Sequence, residues 1–146
     1  MNSRRVWLSS NFEHTSHTMY EHVRCGGSLY MLEQENGKAY ISTTPSGNTG
    51  VCTYADMKYV MQEIRILESA NGYLPDGMKS HRNQNGKFYQ IGEPMESGNV
   101  DVVMDLDNYG LRTMIKQSDI EYVSMAEQYF SAAVDAIPGT EPEMEQ

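Results

Sequence analysis

Apolar side chains recur with the period of a helix between residues 53 and 70. They stand at positions i, i+3, i+4, i+7 and i+10, which places one apolar stripe along a helix: Met57, Val60, Met61, Ile64 and Leu67. Thr53 and Asp56 form a T-x-x-D variant of the capping box, and Asn71-Gly72 supplies a left-handed stop. The pattern therefore predicts a central amphipathic helix that covers a sheet.

A β-hairpin is predicted around Asn36-Gly37, because this dipeptide favours the type I′ turn that joins two antiparallel strands. Strands at 28–34 and 38–43 would pair Leu32 with Ile41 and Glu33 with Tyr40. Other apolar and alternating runs predict strands at 5–10, 87–91, 99–106 and 111–116. We expect one antiparallel sheet of about five strands.

A second helix and two less regular segments complete the pattern. Residues 118–121 have the S-x-x-E form of a capping box, and the apolar positions that follow predict a helix ending at Pro138-Gly139. Residues 11–24 fit either a helix capped by Asn11 or a polar loop, since periodicity does not distinguish them. Residues 73–86 have no period and predict a long surface loop.

Together these elements predict an α+β fold, in which an antiparallel sheet of about five strands packs against two main amphipathic helices. A chain of 146 residues is long enough to bury one core, so we expect a single domain over residues 1–137. Residues 138–146 contain three glutamates and no apolar anchor, which predicts a flexible acidic tail. The sequence reveals no internal repeat.

The charge balance is the strongest global property of the chain. Asp and Glu number 20 against 11 Lys and Arg, which gives a formal net charge of −9. Such a field repels phosphate backbones, so direct duplex nucleic-acid binding is not expected, whereas encounter with a basic protein is accelerated. An ordinary role in solubility remains the alternative.

Cysteine usage and hydropathy bear on the compartment. Cys25 and Cys52 form no C-x-x-C pair, and no secretory signal follows Arg4-Arg5. We therefore expect a cytoplasmic protein with two free, buried thiols. No apolar run reaches the roughly 18 residues that a membrane span needs, so no membrane association is expected.

One segment gathers cations and aromatic rings in an otherwise acidic chain. Guanidinium or ammonium groups can bind phosphate while aromatic rings stack on a base, so the segment is a candidate site for an anionic, nucleotide-like ligand. Its members are Lys79, His81, Arg82, Lys87, Phe88 and Tyr89. A solvated loop with scattered charge is the competing interpretation.

Two groupings superficially resemble metal sites. His14, His17 and His22, with glutamates nearby, offer ligands that zinc accepts, but no further Cys or His supports them. Residues 105–110 imitate the start of a calcium loop, yet Lys116 stands where a bidentate glutamate is required. We therefore predict no metal and no cofactor, and a hairpin turn at 105–110.

The function predicted first is non-catalytic, because no nucleophile and base stand in a recognisable arrangement. An acidic interaction protein, such as an inhibitor of the phage or mobile-element type, would dock on a basic nucleic-acid-handling protein of host defence. Its contacts would come from Asp101, Asp105 and Asp107, with the tail residues Glu141, Glu143 and Glu145. The alternatives are a protein that binds or sequesters an anionic nucleotide-like molecule, and a metal-dependent hydrolase. Assembly of identical copies stays open.

Overall fold

The fold is α+β, with one large antiparallel sheet. The computed structural model describes residues 3–104, 106 and 111–124. Within these residues, nine strands and two short helices are present, so the sheet is larger than the five strands predicted. The strands are β1 Arg4–Leu8, β2 Leu29–Glu35, β3 Lys38–Ser42, β4 Cys52–Asp56, β5 Val60–Ile66, β6 Phe88–Ile91, β7 Asn99–Val103, β8 Arg112–Lys116 and β9 Ile120–Tyr122. The helices are α1 His17–Arg24 and α2 Asp76–Asn83.

The sheet consists of two five-stranded units that share β5. The strand order is β4-β3-β2-β1-β5-β6-β7-β8, and β9 also pairs with β5. In the first unit, β1 to β5, the last strand returns to pair with the first. In the second unit, β5 to β9, β9 returns to β5 in the same way. Each unit also carries one α-helix between its first two strands and a 3₁₀ turn before its last.

Strand register shows that the two units are a structural repeat. Val6 pairs with Leu29 between the first two strands of the first unit, and Ile64 pairs with Phe88 at the equivalent place in the second. All four side chains are buried. The expectation of no internal repeat is therefore wrong, because the equivalent positions conserve burial and not residue identity.

Backbone hydrogen bonds repeat with the strands. The amide of Met57 donates to the carbonyl of Gly37 at 2.8 Å, and the amide of Gln117 donates to the carbonyl of Gly98 at 2.9 Å. Both glycines have positive φ, 78° and 90°, which a residue with a Cβ rarely adopts. The 3₁₀ turns that precede β5 and β9 are thus anchored in the same manner.

Each unit has its own apolar core, and a third cluster lies where the units meet. The first core contains Val6, Met19, Leu29, Met31, Ala39, Ile41, Ala55, Met57 and Val60. The second contains Ile64, Ile66, Ala70, Leu74, Met78, Phe88, Val100, Val102, Ile115 and Ile120. The third contains Met61, Tyr89, Ile91 and Val103, packed against Trp7 and Leu106. β5 contributes to all three clusters.

The helix predicted over residues 53–70 is wrong. That segment forms β4, a 3₁₀ turn and β5. Val60 and Met61 are both fully buried, which shows that β5 is covered on both faces. A strand buried on both faces carries apolar residues at consecutive positions, so some of them also satisfy helical spacing.

The second predicted helix is also wrong where it is described. Residues 117–119 form a 3₁₀ turn and β9 follows, so the S-x-x-E sequence does not cap an α-helix. The remainder of that prediction, and the tail at 138–146, lie outside the described residues. The predicted loop at 73–86 contains α2, and the open question at 11–24 resolves into a loop followed by α1.

The hairpin prediction is confirmed, apart from one register shift. Asn36 and Gly37 both have positive φ, 54° and 78°, as a type I′ turn requires. Glu33 pairs with Tyr40 as predicted, but Ile41 pairs with Met31 and not with Leu32. An irregularity between Met31 and Glu33 inserts the extra residue, which is a β-bulge.

Candidate functional site

A cavity opens where the two units meet, and we call it the junction cavity. Its volume is about 410 Å³, within the range of small-molecule pockets. It is lined by Arg4, Met31, Leu32, Glu33, Gln34, Met57, Gln62, Gln90, Gly92, Glu93, Pro94, Gln117 and Tyr122. Four glutamines, one arginine and one tyrosine therefore converge on a single cavity.

Equivalent positions of the two units both contribute to the lining of this cavity. Arg4 pairs with Met31 in the first unit, as Gln62 pairs with Gln90 in the second. Thus Arg4 corresponds to Gln62, and Met31 corresponds to Gln90. Met57 and Gln117 also correspond to each other, because each opens a 3₁₀ turn and donates its amide to the carbonyl of an equivalent glycine. The first unit thus supplies two methionines where the second supplies amides.

Hydrogen bonds fix the polar side chains of the cavity. Arg4 Nη1 donates to Gln62 Oε1 at 2.9 Å, and the Tyr122 hydroxyl donates to Gln90 Oε1 at 2.6 Å. Gln90 Nε2 donates to the carbonyl of Gly92 at 2.8 Å. The Arg4 guanidinium also lies 4.6 Å from the centre of the Tyr122 ring. These contacts hold the four side chains in fixed orientations.

The two glutamines are unusually buried for their residue type. Gln62 is 5% exposed and Gln90 is 1% exposed. Val60, Gln62 and Ile64 share one face of β5, because alternate residues of a strand point to the same side. Val60 belongs to the first core and Ile64 to the second, so Gln62 lies between the two cores. The amides therefore separate two apolar cores, and burial makes their hydrogen bonds necessary.

Charge around the cavity is mixed. Arg4 is the cation on its wall, whereas Glu33 and Glu93 are carboxylates on exposed residues of its lining. Gln34 Nε2 donates to Glu93 Oε2 at 2.9 Å, which orients that carboxylate. One cation against two carboxylates disfavours a ligand with several negative charges.

The aromatic residues of the predicted ligand segment lie in the interior. Phe88 is 2% exposed in the second core, and Tyr89 is 7% exposed with its ring 5.2 Å from that of Trp7. These rings therefore support packing, and their stacking on a ligand would require the fold to open.

The cationic members of that segment are partly engaged in local contacts. His81 Nε2 donates to the carbonyl of Lys87 at 2.9 Å. Arg82 Nη1 lies 3.3 Å from each of two backbone carbonyls, those of Ile66 and Leu67. Lys79 is half-buried on α2, and Lys87 Nζ lies 4.0 Å from a Glu63 carboxylate oxygen. The segment brings these residues near one another, and its ligand stays a prediction.

The predicted partner-binding aspartates are only partly described. The single Nε–H of Arg112 is shared between Oδ1 and Oδ2 of Asp101, at 2.9 and 3.0 Å, and Nη2 of the same guanidinium donates to Oδ2. The charge of Asp101 is thus paired across the neighbouring strands β7 and β8. Asp105 and Asp107 lie outside the described residues.

Two of the three histidines considered as metal ligands, His14 and His22, contact different neighbours. His22 Nε2 donates to the carbonyl of Ser28 at 2.7 Å, whereas the His14 ring packs edge-on against Phe12 and Tyr20. Burial lowers the pKa of His14 below its ordinary value. No group of three His, Cys, Asp or Glu residues with metal-binding geometry occurs in the part of the chain that the structure describes.

A second cavity, of about 430 Å³, lies beside His14. Its lining combines aromatic and hydroxyl side chains from the end of the segment after β1 and the start of α1: Phe12, His14, Thr15, Ser16, His17 and Tyr20.

The two cysteines form no disulfide bond with each other, and Cys25 is exposed. The expectation of two buried thiols is therefore wrong for Cys25.

Sequence reasoning missed the junction cavity entirely. Gln62 and Gln90 each stand inside an apolar run, VMQEI and FYQI, and a polar residue in such a run is a visible signal. The first run also has helical spacing, and in the predicted helix position 62 faces solvent. Arg4 and Tyr122 are 118 positions apart in the sequence, so their convergence on one cavity could not be predicted without the topology.

Comparisons with protein-family models, with curated proteins and with solved structures find no match for this chain. Among the described residues, neither helix has the length and apolar character needed to cross a bilayer. A function can therefore be inferred only from the residues of this chain and their contacts.

Proposed function

We propose that the chain is a non-catalytic interaction protein that docks on a basic protein. The observation that carries this proposal is the uneven distribution of charge. Residues 1–116 contain all 11 Lys and Arg and 13 of the 20 Asp and Glu, so they are nearly neutral. The other seven acidic residues follow Lys116, and no Lys or Arg stands among them: Asp119, Glu121, Glu127, Asp135, Glu141, Glu143 and Glu145.

This distribution favours a partner over a general solubility role. Charge that serves solubility alone can be spread over the whole surface, whereas a block of one sign concentrates potential at one part of the chain. A block of carboxylates without intervening cations attracts a basic surface and raises the association rate. We therefore assign the docking charge first to the acidic residues of 127–145, which we call the acidic block, and then to Asp105 and Asp107, which Arg112 and Lys116 separate from that block. Asp101 is not included, because it is paired with Arg112.

Exposed tyrosines in the part of the chain that the structure describes support a role in recognition. Tyr20, Tyr54 and Tyr73 are 44%, 67% and 43% exposed. Tyrosine supplies a large, rigid contact area at low entropic cost, which is why it is common at binding surfaces. The partner class that we propose is a basic nucleic-acid-handling protein, since such a protein already binds a polyanion.

The test compares two triple substitutions that change net charge equally. The first variant loses three charges of the acidic block through Glu141→Gln, Glu143→Gln and Glu145→Gln. The second variant loses three charges at exposed positions outside that block, through Glu13→Gln, Glu68→Gln and Glu96→Gln. Binding of a lysine-rich peptide is measured for the full chain by calorimetry at ionic strengths of about 0.01 and 0.15 M.

We expect the first triple variant to bind about tenfold more weakly at low salt, and the second to differ from wild type by less than about twofold. We also expect wild-type affinity to fall steeply with salt. Equal effects of the two triple variants would show that only total charge matters and would refute the proposal, as would salt-insensitive binding.

A further inference from the structure

We propose that the chain forms a two-fold symmetric dimer, in which β4 of one copy pairs antiparallel with β4 of the other and Tyr54 lies on the symmetry axis. This pairing would join the sheets of the two copies into one. It uses the outer edge of the first unit and not the acidic block, so the inference does not depend on the proposed docking function.

The register of β4 against β3 shows which backbone groups of β4 point outward. β4 ends the strand order, and β3 is its neighbour among the described residues. The amide of Met57 donates to the carbonyl of Gly37 at 2.8 Å, and the amide of Thr43 donates to the carbonyl of Val51 at 3.1 Å. Both bonds continue the register of β3 and β4, in which hydrogen-bonded pairs alternate with pairs that are not bonded. The backbone groups that point away from β3 therefore belong to Cys52, Tyr54 and Asp56.

These three residues present backbone groups along an open edge. Their amides, and the carbonyls of Cys52 and Tyr54, have no hydrogen-bond partner in the part of the chain that the structure describes. The carbonyl of Asp56 is set aside, because Asp56 caps the 3₁₀ turn that begins at Met57. A row of free amides and carbonyls is a template on which another strand can pair.

The outward groups match a second copy of β4 when Tyr54 lies on the axis. In this register, Cys52 of one copy faces Asp56 of the other. Each Tyr54 amide then donates to the Tyr54 carbonyl of the other copy, and each Asp56 amide donates to a Cys52 carbonyl of the other copy. Both kinds of hydrogen bond occur twice by symmetry, so the contact is isologous and closed.

The side chains of this edge suit the same register. Tyr54 is 67% exposed, on the face of β4 away from the first core, and its ring lies 4.8 Å from that of Tyr40 on β3. In the dimer the two Tyr54 rings are cross-strand neighbours, so a row of four tyrosines crosses the axis. Asp56 faces a Cys52 thiol and not a like charge, and its carboxylate is already paired with Lys38 Nζ at 2.7 Å.

The edge at the other end of the strand order, β8, is protected against such pairing. The repeated 3₁₀ turns place Met114 on β8 where Tyr54 lies on β4. The outward amide of Lys116 already donates to the Tyr73 hydroxyl at 3.1 Å, and self-pairing about Met114 would set Arg112 opposite Lys116 of the other copy. β4 lacks these protections, since it contains no proline, lysine or arginine and its register is unbroken. The structure therefore favours a closed dimer through β4 over an open chain of copies.

Salt distinguishes this contact from docking on a basic protein. Each copy carries a formal net charge of −9, so two copies repel each other at low ionic strength. Added salt screens that repulsion and strengthens the dimer, whereas it weakens attraction to a basic partner. The two proposals can therefore fail independently.

The primary experiment is sedimentation equilibrium of the full chain from about 1 to 300 μM, at ionic strengths of about 0.05 and 0.5 M. We expect the mass to rise with concentration from that of one copy towards that of two. We also expect the dissociation constant to fall at least about twofold in the higher salt. A mass that stays at one copy, or one that keeps growing beyond two, would overturn the inference.

Matched lysine substitutions locate the contact. Tyr54→Lys and Met114→Lys add the same charge at equivalent, exposed positions of the two edges. We expect Tyr54→Lys to weaken the dimer at least about tenfold, because two ammonium groups meet at the axis and the tyrosine row is lost. Met114→Lys should change the dissociation constant by less than about threefold, through net charge alone. Equal effects of the two variants would place the contact elsewhere and refute the assignment to β4.

A second pair of variants tests the backbone hydrogen bonds. Tyr54→Pro removes an amide that points away from β3, so the sheet loses no bond while the dimer loses both bonds at the axis. Met114→Pro makes the equivalent change on β8. We expect only Tyr54→Pro to abolish the dimer, with circular dichroism showing that both variants keep the fold; the lysine pair decides the case if a proline variant does not fold. A folded Tyr54→Pro protein that still dimerises would contradict the strand pairing.

Discussion

His22 and His81 occupy equivalent positions in the two units and make the same hydrogen bond. Each ring donates through Nε2 to the backbone carbonyl six residues later, that of Ser28 at 2.7 Å and that of Lys87 at 2.9 Å. Each histidine carbonyl also accepts a hydrogen bond of 2.8 Å from a glycine amide. The histidine thus ties the end of each helix to the strand that follows, and it does so twice in one chain.

The glycines of this arrangement should not tolerate a side chain. A Cβ at Gly27 would lie 2.4 Å from the His22 ring, and a Cβ at Gly86 would lie 2.3 Å from the His81 ring. Each ring can move aside only by losing its hydrogen bond to the carbonyl. We expect Gly27→Ala and Gly86→Ala each to lower the free energy of unfolding by about 1–3 kcal/mol, measured by urea titration.

The matched control is Gly72→Ala, because nothing lies within 4 Å of a Cβ at that glycine. Its free energy of unfolding should change by less than about 0.5 kcal/mol. A Gly72→Ala effect as large as that of Gly27→Ala would show that loss of glycine flexibility, and not the histidine contact, sets the cost.

Replacement of Met61 tests whether β5 is covered on both faces. Met61 is fully buried and packs with Tyr89 and Val103 in the cluster between the units. We expect Met61→Ala to cost about 2–5 kcal/mol of unfolding free energy through lost contacts and a cavity. Met114→Ala, at a side chain 49% exposed on β8, should cost less than about 0.5 kcal/mol. Comparable costs would contradict this burial.

Acidification should destabilise the protein through His14. Burial lowers the pKa of this imidazole in the folded protein below 6.5, so the unfolded chain takes up the proton more readily. The contribution to stability is therefore complete above pH 6.5 and decreases as pH falls below that value. We expect His14→Phe to reduce the slope of unfolding free energy against pH between about pH 5 and 8.

The control for this prediction is His17→Phe, because His17 is exposed at the start of α1. Urea unfolding of both variants and of wild type across the same pH range supplies the measurement. An unchanged slope in His14→Phe, or an equal change in His17→Phe, would contradict the assignment of the effect to His14.

Local signals predicted those parts of the fold that short-range chemistry determines. The turn at Asn36-Gly37 was found because positive φ at two successive positions restricts the residue types that can occupy them. The bulge near Leu32 was not found, because it depends on how β2 fits its neighbours. The segment at 60–66 was misassigned because burial on both faces removes the alternation by which a strand is recognised.

The candidate sites depended even more on tertiary structure. The sequence suggests Phe88 and Tyr89 as ligand contacts because cations stand near them, but their positions on β6 bury both rings. It does not suggest Arg4 and Tyr122, since nothing local relates a residue of β1 to one of β9. The shared strand β5 brings them together, because β1 and β9 both pair with it.

Asp119 should contribute to stability above the acid range and lose that contribution at low pH. Its carboxylate accepts hydrogen bonds from the Ser69 hydroxyl at 2.6 Å and the Tyr73 hydroxyl at 2.5 Å, which hold its pKa below the ordinary 3.8. The Tyr73 hydroxyl oxygen in turn accepts a hydrogen bond of 3.1 Å from the backbone amide of Lys116. The carboxylate thus connects the segment after β5 to the 3₁₀ turn before β9.

Because the pKa of Asp119 is lowered on folding, its contribution is complete above pH 3.8 and is lost as pH falls through the folded value. We expect Asp119→Asn to lower the urea midpoint at neutral pH, and the difference from wild type to shrink below pH 3.8. Glu96→Gln, at an exposed position, serves as the control and should leave the neutral midpoint unchanged. A midpoint difference for Asp119→Asn that stays constant down to the acid limit would show that shape and not charge makes this residue important.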